Sequence, residues 1–217
     1  GIYLDTDGLK AEMAKWTYPL HFIDFETSAV ALPFYKGMRP YEQVAFQFSH
    51  HKVTMSENGE YFVEHANEYI NVAKGFFPNF EFVRKLKAAL EGDEGTIFRY
   101  SNHENTILGK IKDQLVKSDE ADKDELIAFI EHITKGGPRA MVDLADMVLQ
   151  YYYHPIMKGS YSIKFVLPSV LNSSEFIKAK YSQPVYGTEA MPSKNLKDKV
   201  WIEYDEDGVT VMNPYKL

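Results

Sequence analysis

The sequence contains no cysteine among its 217 residues, and this absence excludes three kinds of chemistry. A disulfide framework, a cysteine-based zinc site and a cysteine nucleophile are all ruled out. No run of about 18 apolar residues is present, so the sequence predicts no transmembrane helix. The first ten residues are polar, which is not the pattern of a signal peptide. We therefore expect a cytoplasmic protein.

The chain also lacks an excess of basic residues, since 24 Lys and Arg stand against 31 Asp and Glu, a net charge of −7. A protein that coats nucleic acid through a basic surface is therefore not expected. A metal-dependent nuclease remains compatible with this charge, because it needs acidic residues at its centre and basic residues only at the rim. The sequence also has no Gly-x-Ser-x-Gly elbow of the serine hydrolases, no Walker loop and no Gly-x-Gly-x-x-Gly run.

Hydrophobic periodicity predicts an α/β fold. Apolar or alternating segments predict strands at 20–25, 43–53, 61–65, 96–100 and 140–142, with a hairpin turn at 57–60. Helical spacing predicts helices at 5–16, 79–90, 103–115, 122–134, 144–152 and 161–171, the last interrupted near Pro168, and a short helix within 173–198. Two further strands, at 200–204 and 209–212, predict a C-terminal β-hairpin. This order of elements predicts a mixed sheet with helices packed on it.

Two carboxylates come at the end of the first predicted strand. Asp24 and Glu26 are two residues apart, so their side chains point to the same face, about 7 Å apart at their bases. Oxygen ligands of this kind suit Mg²⁺ or Mn²⁺. Carboxylates are costly where a buried strand continues unless they are paired or bound to a metal. The alternative is a strand that ends in two solvated acids.

Two other acids follow predicted strands and begin predicted helices. Glu104 lies in a first helical turn, where a negative charge is favourable, and it is also a candidate third carboxylate beside Asp24 and Glu26. Asp143 is either an ordinary N-cap or a residue that faces a metal. His103, next to Glu104, is placed to orient a water or a phosphate. A tight histidine cluster is missing, and His50 and His51 point to opposite faces of a strand, which argues against zinc.

Two segments, at residues 34–41 and 151–164, combine aromatic and basic residues. Aromatic rings can stack on bases while lysines contact phosphates, so both segments are candidate nucleic-acid surfaces. The candidate nucleic-acid-binding residues are Lys36, Arg39, Tyr41, His103, Lys158, Tyr161 and Lys164. The alternative is that the tyrosines fill the edge of the core and the lysines are solvated.

Several long segments resemble a bacterial protein family, the domain of unknown function 2779. They are HFIDFET (21–27), ALPFYKGMRPYEQVAFQFSHH (31–51), YSNHENTIL (100–108), MVDLADMV (141–148) and YYYHPIMKGSYSIKFVLPSVL (151–171), in the order of the family. The resemblance covers about residues 18–217, although residues 58–94 match the family only in the general character of the sequence.

That family is similar to the ribonuclease-H-like exonucleases that use four carboxylates, the DEDD type. The resemblance implies a mixed sheet of order 3-2-1-4-5, with three antiparallel strands, then parallel strands, and helices on both faces. The Asp-x-Glu motif of the superfamily falls on Asp24 and Glu26, and its second motif falls on Glu104, where Asp is usual. Asp143 matches a position that is less consistently a ligand. The last motif, Asp-Gly-Gly-x-Ala, has no counterpart up to Leu217, so we expect it beyond that residue.

The resemblance therefore implies a 3′–5′ exonuclease that hydrolyses the ends of single-stranded DNA or RNA by a two-metal-ion mechanism. Asp24, Glu26 and Glu104 are the expected Mg²⁺ or Mn²⁺ ligands, and Asp143 is a fourth catalytic candidate. Residues 1–217 are expected to form one nuclease domain of a longer protein with an N-terminal nuclease-like domain. The domain is expected to be truncated at its C-terminus, which can leave it inactive.

Two other classes of function remain open. The net charge and the missing fourth acid favour a catalytically incomplete module that binds nucleic acid or protein. A sugar hydrolase with two carboxylates about 5 to 9.5 Å apart would need no metal, but it explains none of the matched segments.

Overall fold

The computed structural model describes residues 1–33 and 35–216, and a five-stranded mixed sheet forms its centre. The strands are β1 (Tyr3–Leu4), β2 (Leu20–Ser28), β3 (Val44–Met55), β4 (Tyr61–Ile70), β5 (Ile97–Arg99), β6 (Val142–Asp143) and β7 (Tyr152–Tyr153). The helices are α1 (Thr6–Met13), α2 (Asn79–Leu90), α3 (His103–Val116), α4 (Lys123–Ile133), α5 (Leu144–Tyr151), α6 (Ile163–Ser173) and α7 (Glu175–Tyr181), with a 3₁₀ turn at Pro155–Met157. Within these described residues, no helix combines the length and apolar composition needed to cross a bilayer.

The main sheet has the order β4-β3-β2-β5-β6, and β1 and β7 form a separate two-stranded sheet. Strands β2, β3 and β4 pair antiparallel, whereas β5 pairs parallel with β2 and β6 parallel with β5. The predicted mixed sheet is therefore confirmed, with β2 as its central strand. Because β2, β5 and β6 run in one direction, their carboxyl ends meet at one edge of the sheet, where sites in open α/β folds usually form.

One face of the sheet carries the main hydrophobic core. Ile23, Phe25 and Phe48 of the sheet pack against apolar residues of α2, α3 and α4 in one buried cluster. Helix α3 is held there by Ile107, Leu108, Ile111 and Leu115, all of which are buried. This packing fixes where the first turn of α3 meets the carboxyl end of β2.

The opposite face of the sheet is covered in part by aromatic side chains. The Phe22 and Phe98 rings stack there at 4.7 Å, and the Trp16 ring packs edge-on against Phe98. Farther along the sheet, Tyr186 Oη lies 2.6 Å from His51 Nε2. A helical layer on this second face remains a prediction.

Two sequence predictions near the C-terminus differ from the structure. The predicted hairpin of residues 200–212 is formed only in part. Tyr204 and Val211 form one antiparallel bridge, and on either side of it Asp205 N donates to Thr210 O and Met212 N donates to Glu203 O, both at 2.8 Å. Asp207 accepts hydrogen bonds from the backbone of Val209 and Thr210, which tightens the turn, and Val211 is buried beside α6 instead of extending a strand.

The predicted interruption near Pro168 is also absent, because α6 continues through it. Pro168 has no N–H to donate to the Lys164 carbonyl, which would normally accept one in a helix. Asn213 Nδ2 instead donates to that carbonyl at 3.5 Å. The C-terminal tail thus satisfies a group that the proline leaves free.

A chain of hydrogen-bonded side chains crosses the sheet near the start of β2. Asn67 Nδ2 lies 3.0 Å from His50 Nδ1, His50 Nε2 lies 2.8 Å from His21 Nδ1, and His21 Nε2 lies 2.8 Å from Asp93 Oδ1. Since an amide nitrogen only donates, His50 Nδ1 accepts, and both rings are satisfied as neutral imidazoles. Burial lowers the pKa of His50 from 6.5 to about 3, and it also lowers the pKa of His21.

We expect His50 to remain neutral down to pH 5. The unfolded chain binds a proton at this histidine below about pH 6.5, whereas the native state does not, so the stability falls as the pH falls below 6.5. At pH 5 this effect amounts to about 2 kcal/mol for one histidine. A ¹⁵N NMR titration of the imidazoles, assigned with a His50→Gln variant, should show no change of the His50 ring between pH 8 and pH 5. A midpoint near 6.5 would contradict the prediction.

Candidate active site

Asp24 and Glu26 lie side by side on the exposed face of β2. They pair with Ser49 and Gln47 of β3, and the ladder shifts register directly after Glu26. Such irregularities are frequent next to active sites, where they redirect side chains. Desolvation and the nearby Glu26 charge raise the pKa of Asp24, although a backbone hydrogen bond and His103 oppose the increase. The two predicted acids therefore lie close enough to repel each other.

Glu104 is the most unusual side chain at this edge of the sheet. It lies in the first turn of α3, is only 3% exposed, and its Oε2 has no hydrogen-bond partner among the described residues. Desolvation raises the pKa of Glu104 to about 7, and the Asp24 charge adds to the increase, while hydrogen bonds to the backbone and the Arg99 charge oppose it. Glu104 and Asp24 therefore form an electrostatically coupled pair across the β2–α3 junction.

Two other side chains, His103 and Tyr215, interact electrostatically with Asp24, and a third, Tyr100, interacts with Tyr215. His103 Nε2 lies 3.3 Å from Thr27 Oγ1, and the His103 charge lowers the pKa of Asp24. Partial burial raises the pKa of Tyr215, and the Asp24 charge adds to the increase. Desolvation raises the pKa of Tyr100 to about 12, with further contributions from Asp143 and Tyr215. We define the acid cluster as Asp24, Glu26 and Glu104.

The two tyrosines were missed by sequence reasoning. Tyr100 had a detectable signal, because it directly follows the short strand β5 at the carboxyl edge of the sheet. Tyr215 had none, because it comes from the other end of the chain and reaches Asp24 only through the packing of the tail.

Asp143 is hydrogen-bonded and ion-paired to neighbouring residues of the protein. Its Oδ1 accepts hydrogen bonds from Ser101 N at 2.8 Å and Ala145 N at 2.9 Å, and its Oδ2 pairs with Arg99 Nη1 at 2.6 Å. The predicted N-cap of α5 is thus confirmed. Both carboxylate oxygens are occupied, so Asp143 ties β6 to the loop that leads into α3.

Asp143→Asn is expected to lower the free energy of unfolding by about 2 kcal/mol, as measured by urea denaturation. Asn is also a good N-cap, so the change chiefly removes the charge that faces the buried Arg99 guanidinium. Asp146→Asn changes an exposed acid in the helix that Asp143 caps and is the matched control, with an expected change below about 0.5 kcal/mol. Equal effects of the two substitutions would contradict this role.

The acids have the chemistry of a metal site but not the geometry of a closed one. In residues 1–33 and 35–216, no three His, Asp or Glu side chains converge closely enough to hold a metal ion. The buried, unpartnered Oε2 of Glu104 and the adjacent Asp24 nevertheless supply the oxygen donors that Mg²⁺ and Mn²⁺ prefer. Because carboxylates repel one another, a cation between the three, or a proton on one of them, favours their closer approach.

The two predicted nucleic-acid segments lie in different places. Lys158 and Lys164 line a cavity that also contains Tyr215, and the carbonyl of Tyr161 accepts a hydrogen bond of 2.6 Å from Tyr100. By contrast, Arg39 and Tyr41, on the same loop as Lys36, line a shallow groove against Asp113, Gln114 and Lys117 at the far end of α3. The first segment therefore lies beside Tyr215, whose pKa partial burial and the Asp24 charge raise, whereas the second lies at the far end of α3 from Glu104.

Among the comparisons with known proteins, the comparison with protein families gives a match. No match was found among curated proteins or among solved structures. The family described as domain of unknown function (DUF2779) matches residues 21–162, which is more than half of the chain and includes Asp24, Glu26, Glu104 and Asp143. The chain therefore belongs to the DUF2779 family.

Proposed function

We propose that this chain is a metal-dependent nuclease that hydrolyses phosphodiester bonds from the ends of single-stranded DNA or RNA. The observation that carries this proposal is the buried carboxylate of Glu104, which has an unpartnered oxygen beside Asp24. A buried carboxylate is unfavourable unless it is neutral, paired or bound to a cation. Perturbed acids in such a position are candidates for a functional site.

The arrangement of strands supports the same proposal. The order β4-β3-β2-β5-β6, with three antiparallel strands followed by two parallel ones, is the order that the DEDD-type resemblance implies. In that arrangement the Asp-x-Glu motif lies on the central strand, as Asp24 and Glu26 do, and the second acid starts the helix after the fourth strand, as Glu104 does. We therefore propose a ribonuclease-H-like fold with these three acids as the metal ligands.

Divalent ions held by these acids would supply Lewis-acid chemistry and lower the pKa of an attacking water. The residues of the chain would orient the substrate. The raised pKa of Tyr215 keeps its hydroxyl protonated, so it can donate a hydrogen bond to a phosphate oxygen. His103 has one ring nitrogen near Thr27, which leaves the other to contact a water or a phosphate.

The second candidate is a module that binds nucleic acid without cleaving it. The specific observation in its favour is that three ligands do not converge in the described part of the chain. The two candidates differ in one respect that can be measured, because only a nuclease shortens its substrate.

Digestion of end-labelled single-stranded DNA and RNA by the full-length protein in the presence of Mn²⁺ tests the proposal. We expect a ladder of products from one end, which EDTA abolishes and added Mn²⁺ restores. Mn²⁺ should also raise the melting temperature, because a ligand that binds only the native state stabilises it. A folded protein with neither cleavage nor thermal stabilisation by Mn²⁺ would overturn the proposal.

A further inference from the structure

A cavity of about 730 Å³ opens between the start of α6, the 3₁₀ turn and the C-terminal tail. Three lysines line it, Lys158, Lys164 and Lys216, together with the aromatic rings of Phe165 and Tyr215. We call this cavity the lysine cleft. Tyr100, which directly follows β5, donates a hydrogen bond to the Tyr161 carbonyl just before α6, and partial burial and the Asp24 charge raise the pKa of Tyr215, so the cleft lies at the edge of the sheet that carries the acid cluster.

The charge of the lysine cleft is opposite to that of the whole chain. The chain carries a net charge of −7, but among the described residues that line the cleft Asp205 is the only acid. Throughout residues 1–33 and 35–216, none of the three lysines forms an ion pair, so their ammonium groups remain available to an anion. Lys164 and Phe165 also lie in the first turn of α6, where the helix dipole favours negative charge.

Specific contacts hold the walls of the cleft in place. Val211 N donates to Asn172 Oδ1 at 2.9 Å, and Asn172 Nδ2 donates to the Val211 carbonyl at 3.3 Å. Asn213 Nδ2 donates to the Lys164 carbonyl, and Tyr100 Oη donates to the Tyr161 carbonyl. The tail and α6 are thereby joined to each other, and the loop before α6 is joined to the edge of the sheet that carries the acids.

We propose that the lysine cleft binds a single strand of nucleic acid whose end reaches the acid cluster, an inference that rests on the proposed function. The lysines contact backbone phosphates, and the exposed Phe165 ring stacks on a base. The cleft has the volume of an ordinary ligand site. An unpaired strand exposes the faces of its bases to such a ring, whereas a duplex does not, so the ligand is single-stranded. The nucleic-acid strand therefore approaches the acid cluster along α6 and not along the loop of residues 35–42.

Fluorescence anisotropy with labelled oligothymidylate of about 12 nucleotides tests this inference, in EDTA so that no cleavage occurs. We expect Lys158→Ala/Lys164→Ala to weaken binding at least tenfold and to reduce the slope of log K against log salt by about 1.4. Phe165→Ala should weaken binding by about tenfold or more through lost stacking. The duplex with oligoadenylate should bind at least about tenfold more weakly than the single strand.

Two double variants complete the design. Lys10→Ala/Lys85→Ala removes the same charge from exposed lysines that line none of the described cavities, and it should change binding less than about twofold. Lys36→Ala/Arg39→Ala tests the competing segment. Binding that falls as much in either of these variants as in Lys158→Ala/Lys164→Ala overturns the inference. All five mutated lysines and Arg39 are exposed, and far-UV circular dichroism verifies that each variant is folded.

The outcome separates this inference from the proposed function. If Mn²⁺-dependent cleavage occurs but the cleft substitutions leave binding unchanged, the inference fails and the nuclease stands. If oligothymidylate binds through the cleft but no cleavage occurs, the nuclease fails and the cleft stands as a single-strand-binding site.

Discussion

Asp24→Asn is expected to reduce Mn²⁺-dependent cleavage of single-stranded DNA or RNA by about 10³-fold or more. The substitution keeps the shape of the side chain but removes one of the charged oxygens that we propose as metal ligands. A metal ion contributes several kcal/mol to the stabilisation of the transition state, and about 4 kcal/mol corresponds to this factor. Because β2 is hydrogen-bonded on both sides, the fold should be retained.

The matched control for this loss is Asp7→Asn. It neutralises the same type of side chain on the exposed surface of α1. We expect it to cleave at the wild-type rate and to gain the same thermal stabilisation from Mn²⁺ as the wild type. If Asp24→Asn retained more than a tenth of the wild-type rate, its role as a ligand would be refuted.

Glu104→Gln is expected to have opposite effects on activity and on stability. It removes a proposed ligand, but it also removes a buried carboxylate that has an unpartnered oxygen. The pKa of Glu104 is raised from 4.5 to about 7, so the native state holds a proton that the unfolded state has lost between these values. The contribution of Glu104 therefore becomes less favourable as the pH rises from 4.5 to 7, by about 3 kcal/mol in total.

This effect is best measured as a difference between the variant and the wild type. The buried histidines act in the opposite direction, since their contribution improves as the pH rises towards 6.5, so the two effects partly cancel in the wild type. Urea unfolding without metal should give equal stabilities near pH 4.5 and a variant that is more stable by about 3 kcal/mol at pH 8. Added Mn²⁺ should then stabilise the wild type more than the variant. An absence of any difference at pH 8 would contradict the burial of a charged Glu104.

Local sequence patterns were sufficient for most of the sheet and the first helices. The limits predicted for α2 agree with the observed Asn79–Leu90, because Phe82, Val83, Leu86 and Leu90 repeat at helical spacing and are all buried. The C-terminal hairpin was predicted by alternation along the chain but formed only in part, because Ile202 and Val211 pack against Leu171 of α6. Alternation specifies a strand only when a neighbouring strand is available to pair with it.

The candidate site likewise has one part that local sequence patterns predict and another part that they do not. The shared face of Asp24 and Glu26 follows from the period of two along a strand, and it needs no tertiary information. The burial of Glu104 could not be predicted, because an acid in a first helical turn is usually solvated and is favourable there for local reasons. The lysine cleft depends on a tail whose position is set by Asn172 and Asn213, and no local pattern encodes such contacts.

The acid cluster and the lysine cleft are held in place by contacts of different strength, and this difference has a consequence for local unfolding. Strand β2 is flanked by partners on both sides, so its amides should exchange with solvent only when the whole protein unfolds. The tail that carries Tyr215 and Lys216 is joined to its neighbours by one β-bridge and a few side-chain hydrogen bonds, and its turn at residues 205–208 is exposed. A protease that cuts this turn would detach one wall of the lysine cleft while the three carboxylates remain in place.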